Sequence, residues 1–184
     1  MRCHQHCASR DVVASRRSFI AGIACTALVP SAALAQLSGP GSDVDVRFMR
    51  MAIEEARQGD FPSGAVIVRD GAVIARGRNL GRTTSDPTAH GEMVAIRRCL
   101  AEHGPAALRG STLYTSGESC AMCMGAIIWC HMGRLVFGAS IAQLATKIDQ
   151  IMLTDTEISA KATFAPIAIT GGVLADEALA LFTK

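Results

Sequence analysis

Three short segments carry side chains that could act together: Thr88-Ala89-His90-Gly91-Glu92, Thr115-Ser116-Gly117-Glu118-Ser119 and Cys120-Ala121-Met122-Cys123. Cys120 and Cys123 stand three apart, so one helix face can turn both sulfurs toward a single ion. The potential ligands fall where helices are expected to start, and the positive end of a helix dipole favours the thiolate form that binds metal. His90 adds a neutral nitrogen. This mixed nitrogen and sulfur set suits Zn2+, one ion per chain. Three protein ligands leave a fourth position for a water, whose pKa zinc lowers toward neutrality. Glu92 lies two residues beyond His90 and is the carboxylate expected to move protons between such a water and a substrate. Two rival readings explain less. A closed structural zinc site, with Cys99, Cys130, His103 or His131 as fourth ligand, leaves Glu92 without a role. A redox Cys-x-x-Cys pair leaves both His90 and Glu92 without one.

The elements that must position these groups alternate between strand and helix. Val44 to Gln58 places Val44, Phe48, Met51, Ala52 and Ala56 at helical spacing, and Gly59 ends the run. Residues 64–69 and 72–77 are β-rich and flank Asp70-Gly71, a two-residue hairpin signal. Asp86-Pro87-Thr88 is read as an N-cap with proline at the first helical position, the helix continuing to about Glu102. A strand over Ser111 to Ser116, a helix over Ala121 to His131, a strand over 134–138 and a helical turn over 141–146 follow. A strand over 167–170 and a helix over 174–182 complete the chain. The alternation implies one three-layer α/β domain, residues 44–184. Cys99 and Cys130 read as buried small apolar groups, His103 and His131 as residues near helix C-termini, and Arg97-Arg98 as a solvated face.

The chain has 184 residues, 49% of them hydrophobic and 18% charged, which excludes a disordered protein. Its net charge of +2 is uneven. Residues 1–35 carry Arg2, Arg10, Arg16 and Arg17 against Asp11, so the remainder has a formal charge of −1. That is not the charge balance of a nucleic-acid binder. A basic stretch ending in Arg16-Arg17 runs into the apolar segment Phe19 to Val29 and then Ala33-Leu34-Ala35, the order of a secretory signal. Arg16-Arg17 followed by Ser-Phe-Ile resembles the twin-arginine signals that export folded proteins. Residues 1–35 are therefore expected to be a signal peptide, 36–43 a linker, and the protein periplasmic, with no stable membrane association after cleavage. A membrane anchor is the alternative, since no charge occurs from Ser18 to Ser42. Cleavage would remove Cys3, Cys7 and Cys25 and leave Cys99, Cys120, Cys123 and Cys130.

His-x-Glu followed by Cys-x-x-Cys resembles the zinc-dependent nucleobase and nucleoside deaminases. Gly64-Ala65-Val66, Asn79, Asp86 to His90, Cys123 to Ala126, Arg134 to Gly138 and Thr170 to Glu177 look like the branch with bacterial tRNA adenosine deaminases and guanine deaminases. The resemblance implies a cytidine-deaminase-like α/β/α fold with a central five-stranded mixed sheet, hydrolytic deamination, and a homodimer. It also implies Glu92 as general acid and base, with Asn79, Ser63 and Trp129 as candidate substrate contacts. Asn79 has an ordinary reading as a turn residue, and Trp129 one as core or interface filling. The near-neutral charge, the absence of a basic C-terminal tail and the export signal favour a free base or nucleoside over a nucleic acid. A tRNA-editing enzyme is the alternative. The sequence departs from the family at Gly91, where Ala is usual, and at Ser119, where Pro is usual. The Ser119 hydroxyl is expected to cap the helix that follows.

Overall fold

The fold is described from a computed structural model covering residues 41–182. The expected signal peptide, most of the linker and the first three cysteines lie outside these residues.

Helix α1 (Asp43–Arg57) begins at a capping box, in which Ser42 Oγ accepts from the Asp45 amide and the Asp45 carboxylate accepts from the Ser42 amide. The hairpin strands β1 (Gly64–Arg69) and β2 (Ala72–Arg78) meet at Asp70 and Gly71, both with positive φ, as a tight primed turn requires. Helix α2 (Gly91–His103) and a 3-10 turn (Pro105–Ala107) lead to β3 (Thr112–Gly117). Then come α3 (Ala121–Trp129), β4 (Arg134–Ala139), α4 (Ile141–Leu144), α5 (Asp155–Ser159), β5 (Ala168–Thr170) and α6 (Ala175–Leu179).

The five strands form one mixed sheet in the order β2-β1-β3-β4-β5. β1 is antiparallel to both neighbours, while β3, β4 and β5 run parallel. Side-chain alternation along β1 divides the core in two. Ala65 and Ile67 pack with Ala95, Ile96 and Cys99 of α2 and Met124, Ile127 and Ile128 of α3. Val66 and Val68 pack with Phe48, Met49, Ala52 and Ile53 of α1 and Ala178 of α6. The result is the expected α/β/α sandwich on a five-stranded mixed sheet. Among the described residues no helix is long and apolar enough to cross a membrane.

Several local expectations are corrected. The buried face of α1 runs through Phe48, Met49, Ala52, Ile53 and Ala56, whereas Val44 in the first turn is exposed. Helix α2 starts at Gly91 rather than at Pro87. Asp86 spends its carboxylate on a local turn, accepting from Thr88 N at 2.8 Å and Thr88 Oγ1 at 2.6 Å, and His90 remains extended at φ −66° and ψ 160°. Arg97 and Arg98 are exposed as expected, and Arg97 also braces that turn, donating to Asp86 Oδ2 and Thr88 Oγ1 at 3.0 Å each. Helix α5 has no counterpart in the sequence map.

A polar cluster ties α1 to the sheet. Buried Asp45 accepts from Tyr114 Oη at 2.9 Å and from the Arg134 guanidinium at 2.7 and 3.1 Å, and the same guanidinium reaches Thr170 Oγ1. Burial acts to raise the Asp45 pKa, but Arg134 and the hydrogen bonds of Ser42 and Tyr114 together hold it well below the usual carboxylate range. Its folded-state pKa is thus lowered, so its contribution is present above the unfolded value near 3.9 and lost as pH falls below it. We expect Asp45→Asn to cost about 2–3 kcal/mol at pH 7, slightly less than breaking a fully buried pair because Arg134 is partly exposed. The difference from the parent should shrink in acid unfolding series below about pH 3.5; a pH-independent difference would contradict this account.

Candidate active site

The site is built where two helices begin. His90 is the N-cap residue of α2 and Cys120 that of α3, with Cys123 in the first turn of α3. Neither side chain caps its own helix, and the two meet across the gap between the helix ends. His90 Nδ1 lies 3.6 Å from each sulfur, and the donor atoms of all three residues lie within 4.8 Å of one another. Bonds of about 2.0–2.1 Å to nitrogen and 2.3 Å to sulfur at a tetrahedral angle need an N···S separation of about 3.6 Å. The donor set therefore fits a zinc ion in both chemistry and spacing. Among the described residues this is the group of three metal-ligating side chains that the fold assembles.

Close backbone approach sets the position of α2. A Cβ at Gly77 of β2 would run into the Gly91 carbonyl, and one at Gly91 would lie 2.7 Å from the Ser63 carbonyl oxygen and 2.8 Å from Gly64 Cα. Gly91 thus lets the helix start rest directly on the beginning of β1. Ser63 is joined to it there, accepting from Gly91 N at 3.3 Å and donating through Oγ to Glu92 Oε2 at 3.2 Å.

Glu92 is 3% exposed, and burial pushes its carboxyl pKa up. Of the two thiols, Cys120 is the one held low. Cys123 hydrogen-bonds to it, and despite the opposing effect of burial this bond and His90 bring the Cys120 thiol down to about 4. Cys123, giving that hydrogen bond and deeply buried, is pushed up, and His90 is raised mainly by Cys120.

The pocket above Glu92 is lined by Phe61, Ser63, Asn79, His90, Glu92 and Cys120, and closed by Leu144, Ile148, Gln150 and Phe182. Asn79 is the turn residue that one sequence reading gave, and it also lines the pocket. Its Oδ1 accepts from Gly81 N at 3.0 Å in a local turn. Ser63 lines the pocket with its hydroxyl committed to Glu92. Trp129 does not line it: the indole is 73% exposed at the end of α3 and packs on Phe164, ring centroids 4.9 Å apart.

The alternative fourth ligands are placed elsewhere. Cys99 belongs to the core between α2 and the sheet, with Cys130 packed at its margin. The His103 ring meets the Ile74 carbonyl, and the His131 ring packs edge-on to Phe164. All four cysteines of the described residues are free thiols. The Ser119 hydroxyl does not cap α3, since Cys120 occupies the N-cap position and Ser119 Oγ is buried without a hydrogen-bond partner among the described residues.

Sequence reasoning singled out the segment with Glu118 but gave no role to the residues that hold the cysteine loop from below. Buried Glu118 accepts from Ile141 N at 2.8 Å and from Asp155 N at 3.0 Å, fastening the loop after β3 to the starts of α4 and α5. It also missed Phe61, Leu144, Ile148, Gln150 and Phe182 as pocket walls. Thr154-x-x-Glu157 is a capping-box pattern that signals α5 and hence the location of Asp155.

Residues 42–139 match the cytidine and deoxycytidylate deaminase zinc-binding region. The chain belongs to this deaminase family. As a family member it is 43% identical over 97 residues to the guanine deaminase of Bacillus subtilis (strain 168), covering 50% of this chain and 62% of that one. It is 44% identical over 104 residues to the tRNA-specific adenosine deaminase of Haemophilus influenzae (strain ATCC 51907 / DSM 11121 / KW20 / Rd), covering 54% and 60%. The chain thus spans somewhat under two thirds of these relatives' lengths. A structure solved in studies of A-to-I editing by tRNA:A34 deaminases at the wobble position superposes with a TM-score of 0.65 at 31% identity. That alignment covers 73% of this deaminase-family chain and 98% of the solved one.

The packing at Gly91 gives a direct test. Gly91→Ala should force β1 away from α2 and cost about 1–3 kcal/mol, as overpacking does elsewhere, read as a lower urea midpoint. An unchanged midpoint would show that the helix start has room the structure does not give it.

Proposed function

We propose that this protein is a zinc-dependent hydrolytic deaminase that converts an amino-purine or amino-pyrimidine, as free base or nucleoside, to the oxo form with release of ammonia. A purine is favoured. The observation that carries the reading is the joint placement of His90, Cys120 and Cys123 around one point, with the buried carboxylate of Glu92 beside them in one pocket. His90, Cys120 and Cys123 would hold Zn2+, which when bound supplies Lewis acidity and acidifies water. The reaction consumes one water, forms a C–O bond at the amidine carbon and breaks the exocyclic C–N bond.

Glu92 carries the protons. Its carboxylate takes one from the attacking water, delivers it to the adjacent ring nitrogen, and assists departure of the amine as ammonia. Burial raises its affinity for that proton, and Ser63 holds one carboxylate oxygen in place. The Asn79 amide, its carbonyl engaged by Gly81, donates to an acceptor on the substrate. Phe61 and Phe182, in edge contact at 5.6 Å, form an apolar wall with Leu144 and Ile148 that suits a flat heterocycle. The relatives named for guanine and for tRNA adenosine support a purine. The latter also support the second reading, a nucleic-acid substrate, against which the near-neutral charge of residues 36–184 stands. The proposal further holds that residues 1–35 direct export and that the exported protein is periplasmic and a homodimer, its thiols charged with metal before transport.

The test is ammonia release by zinc-loaded protein over guanine, adenine, cytosine, their nucleosides, pterins, aminotriazines and a tRNA anticodon stem-loop. Release from a free base or nucleoside is expected, and Glu92→Gln should keep stoichiometric zinc while losing at least about 10²–10⁴-fold in kcat. Appreciable turnover by the variant would remove Glu92 from its role, and turnover of the stem-loop alone would favour the second reading. Asn79→Ala should raise KM about tenfold with a smaller change in kcat, as loss of a ground-state hydrogen bond does. An unchanged KM would return Asn79 to the turn alone.

A further inference from the structure

Asp155 is a buried carboxylate that the proposed chemistry does not use. It opens α5 directly beneath the cysteine loop, and its Oδ2 accepts from Ser119 N at 3.2 Å. The bonded amide belongs to the residue immediately before Cys120. The same two segments are joined a second time, by the Asp155 amide donating to Glu118 Oε1 at 3.0 Å. The pair of bonds makes a closed clasp between residues 118–119 and the first residue of α5.

The clasp is a poor way to gain stability. Asp155 is fully buried, the acidic Glu118 lies beside it, and its Oδ1 has no hydrogen-bond partner among the described residues. A buried carboxyl group with incomplete hydrogen bonding opposes folding, and an apolar side chain in its place would pack at lower cost. What the carboxylate does supply is direction, because it fixes the Ser119 peptide plane and hence the point from which the Cys120 side chain leaves the backbone. The residue at 119 makes this possible, since a proline there would have no N–H to donate and would fix the backbone through its own ring.

We propose that Asp155 is a positioning residue for the metal ligand Cys120, acting through the Ser119 amide and standing in for the stiffness a proline would give. The inference rests on the zinc-site reading above. Outer partners of metal ligands commonly change metal affinity by about 10–100-fold when removed.

The test compares the parent with Asp155→Ala, Asp155→Asn, Ser119→Pro and the Ser119→Pro/Asp155→Ala double variant, each titrated with zinc against a chromophoric chelator, with Tm measured alongside. Asp155→Ala should weaken zinc binding about tenfold or more. Asp155→Asn, whose side-chain carbonyl still accepts from Ser119, should restore most of it, and in the Ser119→Pro background the alanine change should have no further effect on zinc. A folded Asp155→Ala protein with parental zinc affinity overturns the proposal, as does an equal loss in both backgrounds or a lower Tm with zinc affinity unmoved. Should Asp155→Ala fail to fold, the asparagine and double variants decide by the same criteria. A parent that binds no zinc would instead overturn the site reading, a result separate from any difference among the variants.

Discussion

The meeting of two helix N-termini is the constraint on which the rest of the site depends. α2 and α3 belong to the same layer, and each ends its extended entry segment at a ligand, His90 in one and Cys120 in the other. The positive ends of both helix dipoles favour thiolates at this point. Bringing the helix starts so near the sheet requires backbone to touch backbone, and Gly77 and Gly91 are the residues that permit it. Ser63 then joins the start of β1 to the same helix and to Glu92, so strand and helix share one hydrogen-bonded corner.

Acidic groups surround this corner in a graded way. Glu92 lines the pocket beside the ligands, with burial favouring its protonated form. Glu118 is satisfied by two backbone amides and serves the loops, and Asp155 sits behind it, pushed up to about 8 by burial and by Glu118. Three carboxyl groups so close would repel one another if all were ionised. The arrangement accords with one group that exchanges protons and two that hold backbone.

The layered fold was legible because its signals are local and repeated: Asp70-Gly71 for the hairpin, unbroken apolar runs for β1 and β4, and glycine stops after α1 and α2. The ligand set was legible because spacing along a helix start fixes which side chains share a face. What the sequence did not disclose depends on contacts between distant segments. Asp86 bonding Thr88 delays α2 by one turn, although Asp-Pro is a common helix opening. Asp155 lies 36 residues from its partner Ser119, and only the short Thr154-Glu157 capping pattern marked its helix. Trp129 was a candidate contact only through the resemblance of its segment, and α3 carries it to an exposed position at its far end. Residues 1–40 fall outside the described structure, so the export signal stands on its sequence pattern alone.

The central claim is that His90, Cys120 and Cys123 are the protein ligands of one zinc ion with a position left for chemistry. Zinc-edge X-ray absorption on the metal-loaded protein tests it most directly. The account predicts one zinc per chain with two sulfur neighbours near about 2.3 Å and two lighter neighbours near about 2.0–2.1 Å. A third sulfur, or a protein that takes up no zinc, would contradict it.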